Sequence, residues 1–262
     1  MPVKVLFIAD IVGKPGRQAL SQELHRLVDR HGIDLVIANG ENAAGGFGLT
    51  EETARELYAT GVHLLTSGNH IWDKKESMEF IRREERLLRP ANYPEGVAGK
   101  GSVVITTPLG VEIGVLNLEG RVFMSCLECP FRAADREIAR LKERTPVILV
   151  DFHAEATSEK LALGWYLDGK VSAVLGTHTH VQTADERIFP GGTAYITDVG
   201  MTGSFDSVIG IRKELAMEKF LTQLPVRFEV AKRDIRLNSV LLEIDEITGK
   251  ALAIERLSIP CR

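Results

Sequence analysis

The chain has 262 residues, 44% of them hydrophobic and 26% charged, with a formal net charge of −4. That length buries a sizeable core, and the mildly acidic balance argues against a surface that coats nucleic acid, although a local basic pocket stays open. No apolar run reaches the length of a membrane span, the apolar start runs straight into Asp10 without a small-residue cleavage site, and three cysteines do not make a disulfide framework; a cytoplasmic protein that does not engage membranes is expected.

In chain order the pattern predicts a strand over residues 3–9, a helix over 17–30, a strand over 35–38, and a helix over 51–59 that starts at Thr50. A strand over 64–67 and a helix over 74–84 follow, then strands over 103–106 and 111–118 and a helix over 133–143. Next come a strand over 147–152, a helix over 158–167, strands over 173–175 and 193–197, and a helix over 212–223. Beyond Arg227, runs at 227–230, 239–244 and 251–257 read as consecutive strands, with Glu246, Thr248 and Gly249 supplying a turn. This tail is expected to complete a sheet edge within a single domain spanning 1–262. Strands rich in Val, Ile and Leu are covered on both faces, and β-then-α alternation means a layered α/β fold. Periodicity does not separate a doubly wound sheet from a two-sheet sandwich. Cys126 and Cys129 have the spacing of half a zinc site but no second pair, so ordinary reduced loop cysteines are expected.

Five apolar runs end in polar clusters: Asp10; Asn39-Gly40-Glu41-Asn42; Gly68-Asn69-His70; His153-Ala154-Glu155; and Gly176-Thr177-His178-Thr179-His180. Ligand sites in α/β folds form beyond the carboxyl ends of strands, so these ends are candidates to converge. Taken singly, each member reads as a cap, a turn or a satisfied core group. Taken together, four of seven histidines join carboxylates and amides without a cysteine, a mixture that suits borderline divalent metals such as Mn, Fe, Co, Ni or Zn. His178 and His180 alternate, so an extended segment aims both imidazoles to one side.

The Asp, Gly-Asn-His and Gly-x-His-x-His elements resemble the calcineurin-like metallophosphoesterase superfamily. Ala38-Asn39-Gly40-Glu41-Asn42-Ala43, the string from Asp151 through Lys160, and Asp198-Val199-Gly200-Met201-Thr202-Gly203 resemble one bacterial branch, the YmdB-type 2′,3′-cyclic nucleotide phosphodiesterases. The resemblance implies an α/β fold of the metallophosphoesterase type, a layered β-sandwich flanked by helices. It departs from the wider superfamily pattern of Asp-x-His, because Ile11 and Val12 follow Asp10; Asn42 takes the place of the missing histidine. By the same resemblance, two divalent metal ions, Fe or Mn, are expected. Asp10, Glu41, Asn42 and His180 would hold the first, and Glu41, Asn69, His153 and His178 the second, with Glu41 bridging.

The implied chemistry is in-line attack on phosphorus by a hydroxide shared between the metals, with His70 as general acid toward the departing ribose oxygen. The substrate is expected to be a small-molecule cyclic nucleotide. Arg121 is a candidate phosphate contact or an ordinary surface cation, and Phe47, in Gly45-Gly46-Phe47-Gly48, a candidate base contact or a packed turn residue. Asp151 and Glu155 either orient ligand imidazoles or cap the following helix. A phosphomonoesterase, or a metal-binding signalling protein with incidental hydrolysis, is the alternative, and assembly into a homo-oligomer stays open.

Overall fold

A computed structural model of the chain describes residues 2–261. Strands β1 (Pro2–Ile8) and β2 (Asp10–Ile11) lead into helix α1 (Gly13–His31), followed by β3 (Leu35–Asn39), α2 (Glu51–Thr60), β4 (Leu64–Thr66), a 3-10 turn (Asn69–Trp72) and α3 (Ser77–Arg83). Then come β5 (Ser102–Thr106), β6 (Glu112–Glu119), α4 (Pro130–Lys142), β7 (Ile148–His153), α5 (Thr157–Leu167) and β8 (Ala173–Thr177). The last elements are β9 (Arg187–Ile188), β10 (Ala194–Ile196), β11 (Met201–Ser204), α6 (Lys213–Thr222), β12 (Ile235–Asp245) and β13 (Ala251–Pro260).

Local chemistry explains most boundaries. The α2 start is a reciprocal cap: Thr53 N–H donates to the Thr50 hydroxyl while Thr50 N–H donates to the Thr53 hydroxyl. Helix α1 begins earlier than periodicity indicates, because Pro15 in its first turn needs no intrahelical partner. The helix expected over 74–84 is shorter at both ends and is preceded by the 3-10 turn, with the Ser77 hydroxyl spent on the Leu49 carbonyl.

The strands form two sheets. One runs β2-β11-β12-β1-β3-β4 with β13 paired to β12; the other runs β5-β6-β7-β8-β10-β9. Between them lies a core of alternate residues: Val5, Phe7, Leu35 and Ile37 from the first sheet meet Val115, Leu149, Leu175 and Ile196 from the second. The intervening residues face outward to helices. Leu6, Ile8 and Val36 pack under Leu20 and Leu24 of α1 and Leu57 of α2. Leu116, Val150 and Phe152 pack under Ile138 of α4 and Leu163 of α5. The result is a helix–sheet–sheet–helix stack, the sandwich that double-faced apolar strands require.

One expectation for the tail is corrected. Residues 227–230 form no strand: Val230 makes an isolated bridge to Ile211, and its side chain sits over Gly13 and Gly46. The tail does complete the sheet edge: β12 pairs antiparallel with β1 along Pro2–Ile8 and, on its other side, with the outer strand β13.

Helix α1 lies directly on the backbone of β11. A Cβ on Gly16 would stand 2.3 Å from the Thr202 carbonyl oxygen, which also accepts the Val12 N–H at 2.9 Å. Gly16→Ala should therefore lift α1 and lower stability by about 1–3 kcal/mol, read from the urea midpoint at constant m-value.

Candidate metal centre and its surroundings

The two sheets meet at one edge where parallel strands end. β1, β3 and β4 run parallel in the first sheet, and β6, β7, β8 and β10 in the second. The sheets are tied there by hydrogen bonds. The Asn39 side-chain amide donates to Asp151 Oδ2 at 3.2 Å, and Ser67 N–H donates to Asn117 Oδ1 at 3.1 Å. The five polar clusters therefore converge from two packed sheets and not from one open sheet.

At the centre is His153, fully buried at the end of β7. Its Nε2 lies 3.0 Å from Glu41 Oε1, 3.0 Å from Asn69 Oδ1 and 3.0 Å from His178 Nδ1. Glu41, His153 and His178 offer their atoms within 4.8 Å of one another, a group able to hold a metal ion. The Asn42 side-chain nitrogen is 3.1 Å from the same Glu41 Oε1 and 3.3 Å from His180 Nε2. Asp10 Oδ2 accepts the His178 N–H at 3.0 Å. The backbone is pressed close: a Cβ on Gly68 would lie 2.1 Å from the His153 ring, so only glycine lets Asn69 approach.

The loop after β8 is held in an uncommon conformation. His178 and His180 have φ of 103° and 63°, the left-handed region that non-glycine residues seldom occupy. A buried ion pair imposes it. Lys160 Nζ, from α5, donates to Asp198 Oδ2 at 2.6 Å and to the Thr177 carbonyl at 2.7 Å, and both side chains are wholly inaccessible. The same Asp198 oxygen accepts Thr179 N–H at 3.0 Å, while its other oxygen accepts Gly200 N–H at 2.8 Å. One lysine and one aspartate thus grip the loop on either side of His178.

The imidazoles are oriented separately. Thr177 donates its hydroxyl hydrogen to Asp151 Oδ1 at 2.7 Å, and its oxygen lies 2.9 Å from His153 Nδ1, so Asp151 acts on His153 through threonine. Glu155 Oε2 stands 3.2 Å from His178 Nε2, and the Ile209 carbonyl 2.9 Å from His180 Nδ1.

Electrostatics indicate what this arrangement suits. Burial raises the Asp10 carboxyl to about 6 and Asp151 to about 7, in each case against the pull of nearby imidazoles. Burial also acts on Glu41, yet the adjacent His153 outweighs it and holds Glu41 well below the usual carboxylate range. Burial would lower His153, but Glu41 and Asp10 push it up to about 9. His178, by contrast, is driven down to about 3 by burial and by His153. Asp10 Oδ1 and Asn42 Oδ1 are buried without any hydrogen-bond partner. Orphaned oxygens and carboxylates crowded around one imidazole are the surroundings a divalent cation satisfies, and the oxygen and nitrogen donors suit one of borderline softness.

Other candidates fall around this centre. His70, in the 3-10 turn, gives its backbone N–H to Glu41 Oε2 at 3.1 Å, and its Nδ1 is 2.8 Å from Asp73 Oδ2. Phe47 packs edge-on against the His70 ring at 5.3 Å. Arg121 is exposed on the loop after β6. Glu119, not singled out from sequence, ends β6 opposite His153; burial raises it to about 7, and it accepts the Tyr93 O–H at 3.2 Å. Its signal was the same as the others, an acid closing an apolar run. All three cysteines are free, and no cysteine joins a metal-holding group among the described residues. Among those residues no helix is long and apolar enough to cross a membrane.

Removing the Lys160 ammonium would leave Asp198 buried and unpaired. Lys160→Met should cost about 3–5 kcal/mol in chemical denaturation and, through the released loop, lower the metal content of purified protein by elemental analysis.

Known proteins match this chain over nearly its whole length. A 2′,3′-cyclic-nucleotide 2′-phosphodiesterase of Bacillus subtilis (strain 168) is 52% identical over 257 residues, covering 98% of this chain and 97% of that protein. The crystal structure of a hypothetical protein from Thermus thermophilus superposes with a TM-score of 0.92 at 44% identity, over 98% of this chain and 99% of the other. A novel phosphatase from Mycoplasma pneumoniae superposes with a TM-score of 0.93 at 38% identity, over 99% of this chain and 94% of the other, which bears out the metallophosphoesterase-type sandwich. The model of YmdB-like proteins matches residues 6–257, and the chain belongs to that family.

Proposed function

We propose that the chain is a metal-dependent phosphodiesterase that hydrolyses 2′,3′-cyclic nucleotides. The observation that carries this reading is the cluster of Glu41, His153 and His178 within 4.8 Å, flanked by the partnerless oxygens of Asp10 and Asn42. The name of the Bacillus subtilis relative supports the substrate class, and the description of the Mycoplasma pneumoniae structure as a phosphatase supports phosphoester chemistry.

Asp10, Glu41, Asn42 and His180 would hold one ion, and Glu41, Asn69, His153 and His178 a second, Fe or Mn. Glu41 has two oxygens to share between them. When bound, such a pair polarises phosphoryl oxygens and supplies a nucleophile at neutral pH. The remaining work falls to the chain itself. Asp73 engages Nδ1 of His70, which orients the ring and, when the ring is protonated, supports an imidazolium whose Nε2 carries the proton to be donated. His70 then delivers that proton to the ribose oxygen that leaves phosphorus, and the product is a monophosphate with one free hydroxyl. Phe47 closes one side of the ring and restricts its rotation.

A strained five-membered cyclic phosphate exposes its phosphorus, so a shallow site handles it without gripping a polymer. Hydrolysis of 2′,3′-cyclic AMP in Mn²⁺ buffer should exceed that of 3′,5′-cyclic AMP and give a single monophosphate isomer by chromatography; equal or reversed preference defeats the substrate assignment. His70→Ala should retain its metal yet lose roughly 10²–10⁴ in kcat, whereas Glu41→Gln should lose metal and, with it, thermal stability. A fully metallated protein that turns over no phosphoester would favour a binding role instead.

A further inference from the structure

The loop that leaves β6 carries a feature that the chemistry above does not use. Residues 121–124 form a turn closed by Met124 N–H donating to the Arg121 carbonyl at 3.3 Å. Phe123 occupies its third position with φ of 64°, where a turn of this kind favours glycine. The residue is nonetheless 88% exposed and so contributes little to the core. A phenylalanine there combines backbone strain with an exposed aromatic face, both of which glycine would avoid.

The base of the turn is rigidly built. Gly120 N–H donates to the carbonyl of His153 at 2.9 Å, and a Cβ on Gly120 would lie 2.6 Å from Ala154 Cβ and 2.7 Å from Glu159 Oε2. Glu159, a largely buried residue of α5, accepts the N–H groups of Arg121 and Val122, each at 3.1 Å. The loop is therefore bolted to the residue at the centre of the metal cluster and is not a free excursion. Among the described residues the Arg121 guanidinium makes no ion pair, and Arg121 and Phe123 are both exposed on the turn that follows the Gly120 contact to His153.

We infer that Phe123 is a platform on which the substrate's nucleobase stacks, with Arg121 beside it to meet a phosphate oxygen. The inference rests on the phosphodiesterase reading. Phe123 lies four positions after Glu119, the strand partner of His153, which keeps its backbone within roughly 14 Å of that strand end. A π-face recognises any base, so the platform gives affinity for nucleosides over base-less sugars without reading base identity.

The test is steady-state hydrolysis of 2′,3′-cyclic AMP and of methyl riboside 2,3-cyclic phosphate, which lacks the base, by Mn²⁺-loaded wild type, Phe123→Gly and Phe123→Trp. Phe123→Gly should raise KM for cyclic AMP by roughly 5- to 100-fold with little change in kcat, and leave KM for the riboside unaltered. Its melting temperature should hold or rise, because glycine relieves the left-handed strain; a structural phenylalanine would lower it. Phe123→Trp should retain the cyclic AMP KM. No change in Phe123→Gly, an equal change on both substrates, or a fall in melting temperature overturns the platform while wild-type turnover leaves the phosphodiesterase reading intact. Wild type inactive on both substrates defeats that reading and this inference with it.

Discussion

The site depends on an ion pair that touches neither of its two sides directly. Lys160 and Asp198 are wholly buried, and between them they fix the Thr177 carbonyl, the Thr179 N–H and the Gly200 N–H. Buried pairs of this kind contribute little net stability, since desolvation offsets attraction. What this pair supplies is shape. It holds two histidines in left-handed backbone, and without that curvature His178 and His180 would follow the ordinary alternation of a strand. The pair also joins α5 to the segment after β10, so the outer helix layer and the inner sheet set the geometry of the loop together.

The second constraint is charge. Several carboxyls end in the same small volume, and burial, helped by neighbouring carboxylates, raises Asp10, Asp151 and Glu119 toward neutral pH. Imidazoles counter this only in part, because His153 and His178 lie 3.0 Å apart and oppose each other's protonation. Neighbouring polar groups that satisfy one another poorly mark a place where folding has been compromised for binding. Thr177, between Asp151 and His153, shows how finely the compromise is set: a hydroxyl both donates and accepts, so it links an acid and an imidazole that need not touch.

Much of this was legible in the sequence, for a physical reason. Asp10, Glu41, Asn69, His153 and His178 each follow a run of Val, Ile or Leu, and a polar group at the end of a buried strand has few places to go except a shared cleft. The pairing of the sheets was not legible, because Leu35–Asn39 and Ile148–His153 are buried on both faces whether helices or a second sheet cover them. β11 escaped notice because Met201-Thr202-Gly203-Ser204 has neither β-branched density nor alternation. The roles of Lys160 and Thr177 were not legible, because they arise from contacts with residues distant in the chain, Asp198 for Lys160 and Asp151 for Thr177. Glu119 carried the same strand-end signal as the ligand candidates and was overlooked beside Arg121.

The order of strands bears on synthesis as much as on shape. β1 has β3 on one side and β12 on the other, yet β12 begins at Ile235. At synthesis rates of about 5–20 residues per second, β1 waits on the order of tens of seconds for its second neighbour. During that interval its apolar strand presents an unpaired edge of the kind that recruits other chains. Every side chain of the candidate metal centre has already been synthesised by His180, well before β12 completes the sheet that aligns them.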